Sequence, residues 1–150
     1  MLPTQRIMSK AFLERGRTDV VKWELLPIPR TCRHNLVFEN WTKTHKHGVW
    51  LRTDGELIVN GTSSPSMNLW ADETRQTVDI DVPTSSGLLH LYNIWDFGQR
   101  SESQSWSSGM LVEELPDGRR YRCNDIGFET EFDSLVFRIE ITGNTPAAAR

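Results

Sequence analysis

The sequence predicts an all-β protein, an antiparallel β-sandwich or jelly-roll-like single domain of about eight strands over residues 1–150. Three observations predict this class. Apolar and polar residues alternate in several segments, most regularly in 135–141, as in strands with one buried face. Turn-forming Gly, Pro, Asn and Asp residues separate these segments at roughly 8–15-residue intervals. No helical pattern lies between the segments, which disfavours a βαβ fold.

The N-terminal part of the chain predicts a short helix followed by a first strand. Apolar residues fall at helical spacing in 6–16, and Gly16 can end a helix there. Residues 1–16 are therefore interpreted as an N-terminal arm or helix. The segment 19–26 is rich in β-forming residues and stops at Pro27, which indicates an early or edge strand.

A β-hairpin is predicted around Asp54-Gly55, between the two apolar runs of residues 47–61. Asp-Gly is a strong hairpin signal because both central residues of a type I′ turn need positive φ. A second turn is predicted at 116–118, where Pro, Asp and Gly follow one another. The remaining predicted strands are 67–71, 77–82, 87–97, 109–115, 119–124 and 135–141, and residues 143–150 are expected to form a frayed tail.

Composition excludes several classes of protein. The sequence has no run of about 18 apolar residues, so no membrane span is predicted. Charges interrupt the N-terminal segment where a signal peptide would be apolar, and the expected location is therefore the cytoplasm. The net charge is −3, and the Lys and Arg residues of the basic first third are interspersed with apolar residues. Nucleic acid is accordingly not the expected partner.

The two cysteines, Cys32 and Cys123, belong to no recognisable motif. They are too few and too far apart for a zinc ribbon or a C-x-x-C site. Neither has a neighbouring motif that would activate it as a nucleophile. In a reducing compartment both are expected to be ordinary core or surface residues, and the sequence leaves open whether they pair.

The histidines are the candidates for a metal site. His45 and His47 stand two residues apart, so on a strand both would point to the same face and could chelate one ion. Further ligands would have to come from elsewhere in the fold, with His34, His90 or a carboxylate such as Asp96 as candidates. The alternative is two solvent-facing histidines at the base of a hairpin. His45, His47 and His90 are therefore weak metal candidates, and the sequence assigns no cofactor.

No motif for covalent or acid–base catalysis is present in the sequence. The serines of 101–108 lie outside any G-x-S-x-G pattern. Glu113 and Glu114 are adjacent on a predicted strand and must face opposite sides. No glycine-rich phosphate loop occurs. The sequence therefore assigns no catalytic residue and leaves open whether the protein is an enzyme.

The segment 90–109 is the predicted ligand site. Its aromatic rings offer flat apolar surfaces and its polar side chains offer donors and acceptors, a composition typical of sites for polyhydroxylated or planar ligands. The alternative is a structural corner, with tryptophans in the core and a solvated serine-rich loop. The predicted ligand-binding residues are Tyr92, Asn93, Trp95, Asp96, Arg100, Gln104 and Trp106.

Three functions stay open on the sequence alone. The first, which the sequence favours over the other two, is a non-catalytic binding module for a small or carbohydrate-like ligand, or for a protein partner. The second is a jelly-roll-type enzyme, with or without a metal on His45, His47 and His90. The third is a structural subunit of an assembly, since an unpaired edge strand would let copies of the chain associate as a homo-oligomer. Architecture alone does not choose among them.

Overall fold

The computed structural model describes residues 2–29, 32–71, 76–84 and 86–144, which are almost entirely β-structure. The helix α1 spans Lys10–Leu13, and the Ser9 hydroxyl at its N-terminus accepts a hydrogen bond from Phe12 N. In chain order the strands are β1 (Ile7–Met8), β2 (Val20–Pro27), β3 (Cys32–Trp41), β4 (Lys46–Val59), β5 (Thr62–Trp70), β6 (Thr77–Thr84), β7 (Leu88–Asp96), β8 (Ser101–Ser103), β9 (Gly109–Leu115), β10 (Gly118–Asn124) and β11 (Leu135–Asn144).

Eight of these strands form a closed antiparallel barrel. Around the barrel the order is β2, β9, β10, β11, β3, β6, β4 and β7, and β7 pairs in turn with β2. Strands β1, β5 and β8 extend the sheet outside the ring by pairing with β2, β4 and β7. The predicted all-β class is confirmed, whereas the predicted β-sandwich or jelly roll is wrong.

The wrong architecture has a physical reason. A strand with one buried and one exposed face shows the same alternation in a sandwich and in a barrel. The two differ in whether the ends of the sheet meet, and here Glu24 of β2 pairs with Leu91 of β7 to close the ring. This pairing joins segments that are distant in sequence, and no local pattern encodes it.

Side chains alternate between the barrel interior and its outer face. On β7, Leu91 and Trp95 point inward and are fully buried, and the polar Asn93 lies between them at 2% exposure. Most of the interior is apolar, with the Tyr121 and Phe137 rings stacked 5.0 Å apart. Burying one large apolar side chain contributes about 1.5–3 kcal/mol, so this interior is the main source of stability.

Strand β4 runs straight through the predicted hairpin at Asp54-Gly55. Its register with β5 shifts after Arg52, and along this stretch its other neighbour changes from β7 to β6. The hairpin to β5 lies instead at Asn60-Gly61, whose φ angles of 51° and 79° are those of a type I′ turn. Both dipeptides carry the same local signal, and pairing with distant strands decides which one turns.

Several other segments differ from the sequence analysis. Strand β3 is missing from the predicted set, although three consecutive apolar residues, 36–38, lie at its centre. The predicted helix is reduced to α1, because Ile7–Met8 pair with β2 as β1. The predicted turn at 116–118 is confirmed and joins β9 to β10. Of the predicted tail, 143–144 belong to β11 and 145–150 lie outside the described residues.

The barrel has two ends, which are named here by one residue each. The Arg119 end holds the turn between β9 and β10 and the last residue of β2, Pro27. The His47 end holds the first residue of β4, Lys46, and the segment that follows β10. Polar and charged side chains enter the interior at both ends, His47 at one and Glu24 with Arg119 at the other.

Candidate metal centre

Three side chains, which we call the His-His-Asp cluster, converge at the His47 end: His45, His47 and Asp125. Asp125 Oδ2 lies 3.0 Å from His45 Nε2 and 3.3 Å from His47 Nδ1. One ligand atom from each residue can be chosen so that all lie within 4.8 Å of one another. Imidazole nitrogen and carboxylate oxygen are common ligands of transition metals, so the cluster has the chemistry of a metal site.

The barrel places the cluster at the edge of its own interior. His47 lies on β4 opposite Trp95 of β7, and this register turns both side chains inward. His45 stands one residue before β4, and its ring centre lies 4.2 Å from that of His47. Asp125 directly follows β10. Two strands that are not neighbours in the barrel therefore bring these three groups together.

Asp125 is held in place from both its backbone and its side chain. Asn93 Nδ2 donates to Asp125 Oδ1 and to the Asn124 carbonyl, at 3.1 Å each. Ser105 Oγ donates to the Asp125 carbonyl at 2.6 Å. The amide thus occupies one carboxylate oxygen, while the other, Oδ2, faces the two histidines.

Each histidine has a threonine hydroxyl at its other ring nitrogen. Thr42 Oγ1 lies 2.8 Å from His47 Nε2, and Thr44 Oγ1 lies 2.9 Å from His45 Nδ1. When the Thr42 hydroxyl accepts the ring N–H of His47, the lone pair of His47 Nδ1 faces Asp125, whereas His45 Nε2 lies at hydrogen-bond distance from Asp125 Oδ2. Histidines that bind metals usually donate their second nitrogen to an oxygen in this way.

His47 Nδ1 is the least satisfied atom of the cluster. The His47 side chain is fully buried, and Nδ1 forms no hydrogen bond with any described residue. Its 3.3 Å approach to Asp125 Oδ2 is an electrostatic contact without hydrogen-bond alignment. Buried polar atoms are normally paired, and a cation between the nitrogen and the carboxylate would provide the missing partner.

The electrostatics of the cluster favour a neutral imidazole at His47. Burial is the main cause that lowers the pKa of His47 to about 4, and the neighbouring charges of His45 and Lys43 contribute to the same shift. Burial also raises the pKa of Asp125, and hydrogen bonds from His45 and Asn93 partly offset that rise. At neutral pH His47 is thus an uncharged imidazole, the form that coordinates metals.

A recess of about 400 Å³ opens beside the cluster. His45 belongs to both, since its side chain is 11% exposed and contributes to the wall of the recess. The Phe97 ring stacks on the His45 ring with centres 4.1 Å apart. The residues that line the recess are Lys43, His45, Lys46, Asp96, Phe97 and Gly98.

The predicted third histidine lies elsewhere. His90 is on the opposite face of β7 from Asn93, and its Nδ1 accepts a hydrogen bond from Trp23 Nε1 at 3.0 Å. His34 lines a cavity at the Arg119 end. The structure therefore brings His45 and His47 together, as their spacing predicts, and supplies Asp125 as the third group.

Three of the predicted ligand residues lie at the His47 end. Asn93 holds Asp125, Asp96 lines the recess, and Trp95 is fully buried beside His47. Trp95 thus offers no surface to a ligand from outside. Its indole nitrogen forms no hydrogen bond with any residue in the described part of the chain.

The other predicted ligand residues belong neither to the His-His-Asp cluster nor to the lining of the recess. Tyr92 lies on the outer wall, stacked on Trp50 with ring centres 4.4 Å apart. Gln104 Nε2 donates to the Lys22 carbonyl at 2.9 Å, which is a structural contact. Arg100 is exposed, and Trp106 is 57% exposed.

Asp125 is the residue that sequence reasoning missed as a site candidate. It stands at the end of the segment YRCND, where a polar residue directly follows a predicted strand. That position is a weak signal, because polar residues follow most strands. Only the distance to β4 turns it into a ligand candidate.

The neighbouring Cys123 is a poor nucleophile. It is a free, fully buried thiol on β10, and burial raises its pKa well above the ordinary value. A protonated, buried thiol is unreactive. The side chain of Cys32 lies outside the described residues.

At the Arg119 end, a buried carboxylate is fully paired. Glu24 is completely buried, and Arg6 donates to it through Nε at 2.6 Å and Nη2 at 2.9 Å. Arg119 Nη1 and Tyr121 OH donate to Glu24 Oε2 at 3.1 and 3.0 Å. Next to this network lies a cavity of about 290 Å³ that is lined by both apolar and charged residues, among them Leu26 and Arg119.

Comparison of the chain with protein-family models, with curated proteins and with solved structures finds no match. Among the described residues, no helix is long and apolar enough to cross a membrane. Any statement about function therefore depends on the geometry of the chain itself.

Proposed function

We propose that the protein binds a divalent transition-metal ion, zinc first among them, through His45 Nε2, His47 Nδ1 and Asp125. The observation that carries this proposal is the buried His47 Nδ1, which faces a carboxylate oxygen without a hydrogen bond. With both imidazoles in the neutral form that coordinates metals, two nitrogens and one carboxylate leave an electron-rich point that a cation stabilises.

The distances fit an ion of this size. Two ligands of a tetrahedral zinc ion, each about 2.0–2.2 Å from the metal, lie about 3.3–3.5 Å apart. The two contacts of Asp125 Oδ2 with the histidines measure 3.0 and 3.3 Å. Since one ligand atom from each residue lies within 4.8 Å of the others, side-chain movement can bring all three onto one ion.

The number of ligands indicates the kind of site. Structural zinc sites are closed by four protein ligands, whereas ligand-binding and catalytic sites have three and keep a position for water or substrate. The His-His-Asp cluster offers three. Because His45 also lines the recess, a small molecule in the recess can approach the remaining position.

Titration of the purified chain with Zn²⁺ and Co²⁺, followed by calorimetry and by cobalt absorption, tests the proposal. We expect one equivalent to bind. His47→Gln and Asp125→Asn should each weaken binding by at least about 100-fold, since even residues that only orient ligands cost about 10–100-fold. Cobalt absorption should also report nitrogen and oxygen ligands rather than thiolate.

His90→Gln is the matched control, because His90 is also a buried histidine but lies outside the cluster. It should bind metal like the unaltered chain. A chain that binds no metal, or an equal loss of binding in His90→Gln and His47→Gln, would contradict the proposal.

A metal-free binding module is the second candidate function. It is favoured by two large exposed rings, since Phe97 and Trp106 are each 57% exposed. Exposed aromatic rings are typical of surfaces that bind sugars or protein partners. A thermal-shift screen with oligosaccharides in the presence of a chelator separates this candidate from the first, because only metal-free binding survives chelation.

A further inference from the structure

We propose that the recess beside the His-His-Asp cluster binds a small aromatic carboxylate, with a carboxylate oxygen on the metal and the ring against Phe97. This proposal rests on the metal binding proposed above and specifies the class of ligand. Three features of the recess support it: its position, its aromatic wall and its charge.

The position of the recess relative to the metal comes from His45. The Nε2 atom of His45 lies 3.0 Å from Asp125 Oδ2, and the His45 side chain also forms part of the recess wall. His47 and Asp125 are more deeply buried, at 0% and 6% side-chain exposure. The coordination position that they leave open is therefore reached past His45, from the recess.

The aromatic wall is the Phe97 ring. It stacks on His45 at an interplanar angle of 30°, yet 57% of the residue is exposed. Stacking uses one face of the ring and leaves the other toward solvent. A planar ligand on that free face would gain offset-stacked contact of the kind that aromatic pairs prefer.

The charge of the recess favours an anion. Lys43 belongs to the wall of the recess and is exposed, and its ammonium group lies 3.5 Å from the centre of the Trp41 ring. Asp96, the acidic residue of the wall, accepts a hydrogen bond from Gly98 N at 2.6 Å. A divalent ion with one carboxylate and two neutral imidazoles keeps a net positive charge, which an added carboxylate neutralises.

The volume of the recess sets the size of the ligand. About 400 Å³ lies at the small end of the range for small-molecule sites, roughly 300–1,000 Å³. One ring with one carboxylate fits within it, and benzoate is therefore the simplest probe. Acetate tests the carboxylate without the ring, and benzyl alcohol tests the ring without the charge.

The experiment titrates the cobalt-loaded full chain with each probe and follows the cobalt absorption. We expect benzoate to change the spectrum in a saturable way, acetate to bind about 10-fold more weakly because it lacks the ring, and benzyl alcohol to leave the spectrum unchanged. Phe97→Ala, once saturated with cobalt, should bind benzoate about 5–10-fold more weakly than the unaltered chain. Trp106→Ala, which removes an equally exposed ring outside the recess, should leave benzoate binding unchanged.

Charge is tested with a second pair of variants. Lys43→Gln should weaken benzoate binding about 2–5-fold, as expected for one partly screened charge, whereas Lys10→Gln on the exposed side of α1 should not. The failures are distinguishable. A chain that binds no cobalt removes both proposals. A chain that binds cobalt but gives no benzoate response, or an equal response in Phe97→Ala and Trp106→Ala, removes only this one.

Discussion

The two ends of the barrel each bury one carboxylate, but they neutralise it differently. At the Arg119 end, Glu24 is surrounded by the guanidinium groups of Arg6 and Arg119 and by the Tyr121 hydroxyl. At the His47 end, Asp125 faces two imidazoles, one of which is buried with a low pKa. Permanent cations complete the first site, whereas the uncharged His47 ring adds no positive charge to the second.

The two ends differ in whether the chain itself supplies every partner of the buried carboxylate, and this separates a structural polar cluster from a candidate binding site. A buried carboxylate costs free energy unless it is paired and hydrogen-bonded. Glu24 receives every partner from the chain itself, so nothing further is required there. No permanently charged side chain binds Asp125 and His47 among the described residues. Their arrangement therefore indicates a site for an added cation.

Glu24→Ala should produce the largest effect, a loss of about 5 kcal/mol in the free energy of unfolding. Removing one partner of a buried ion pair costs about 3–5 kcal/mol, and here Arg119 and Tyr121 lose their shared acceptor. Urea denaturation measures it. Glu114→Ala is the control, because Glu114 also binds Arg119 but its side chain is 70% exposed, and it should cost under about 1 kcal/mol. Similar costs in both variants would remove the distinction between the two ends.

Trp95→Ala should cost about 4 kcal/mol, the middle of the range for a buried tryptophan. The ring is fully buried in the barrel interior beside His47, so its loss leaves a cavity. Trp106→Ala, at 57% exposure, should change the free energy of unfolding by no more than about 0.5 kcal/mol. A small cost for Trp95→Ala would mean that the His47 end is open rather than packed.

Acid should destabilise the metal-free chain through His47. Its pKa is about 4 in the folded state against an ordinary 6.5, so the unfolded state binds more protons between these values. Stability is therefore fully present above about pH 6.5 and falls by up to about 3 kcal/mol as the pH drops to 4. The raised pKa of Asp125 acts in the opposite direction, so the comparison is with His47→Gln. Between pH 6.5 and 4, the urea midpoint should fall less in His47→Gln than in the unaltered chain. An equal fall in both chains would show that His47 is not buried as a neutral ring.

Metal should stabilise the folded chain by about 2.7 kcal/mol when free metal is 100 times its dissociation constant. For a chain of this length that corresponds to a rise of about 5–10 °C in Tm. The rise should disappear on chelation and in Asp125→Asn. The same rise in Asp125→Asn would place the ion somewhere other than the His-His-Asp cluster.

Parts of the fold could be predicted because they depend on local patterns. The alternation in 135–141 and 77–82 identifies β11 and β6 closely, since a strand with one buried face repeats every two residues. The turn at 116–118 follows from residue types that suit turns. The hairpin was misplaced because Asp54-Gly55 and Asn60-Gly61 have equal turn chemistry, and only the partners of β4 distinguish them.

The candidate site shows the same division. The spacing of His45 and His47 predicts that one ion could contact both, because residues two apart share a face of a strand. Neither His90 nor Asp125 can be ranked as the third ligand from the sequence, since both are isolated polar residues near strands. The barrel turns His90 to its outer wall and brings Asp125 within 3.3 Å of His47.

The sequence by itself determined that this chain is β-rich and where several of its strands begin and end. It also predicted that His45 and His47 lie on the same side of the chain. These properties depend on neighbours along the chain. Tertiary structure alone decided that the sheet closes into a barrel, which acid meets the histidines and which acid is neutralised by arginine. The physical reason is that strand pairing and charge compensation act between atoms that are close in space, whatever their separation in sequence. The pairing of β2 with β7 closes the barrel and so fixes which side chains are close.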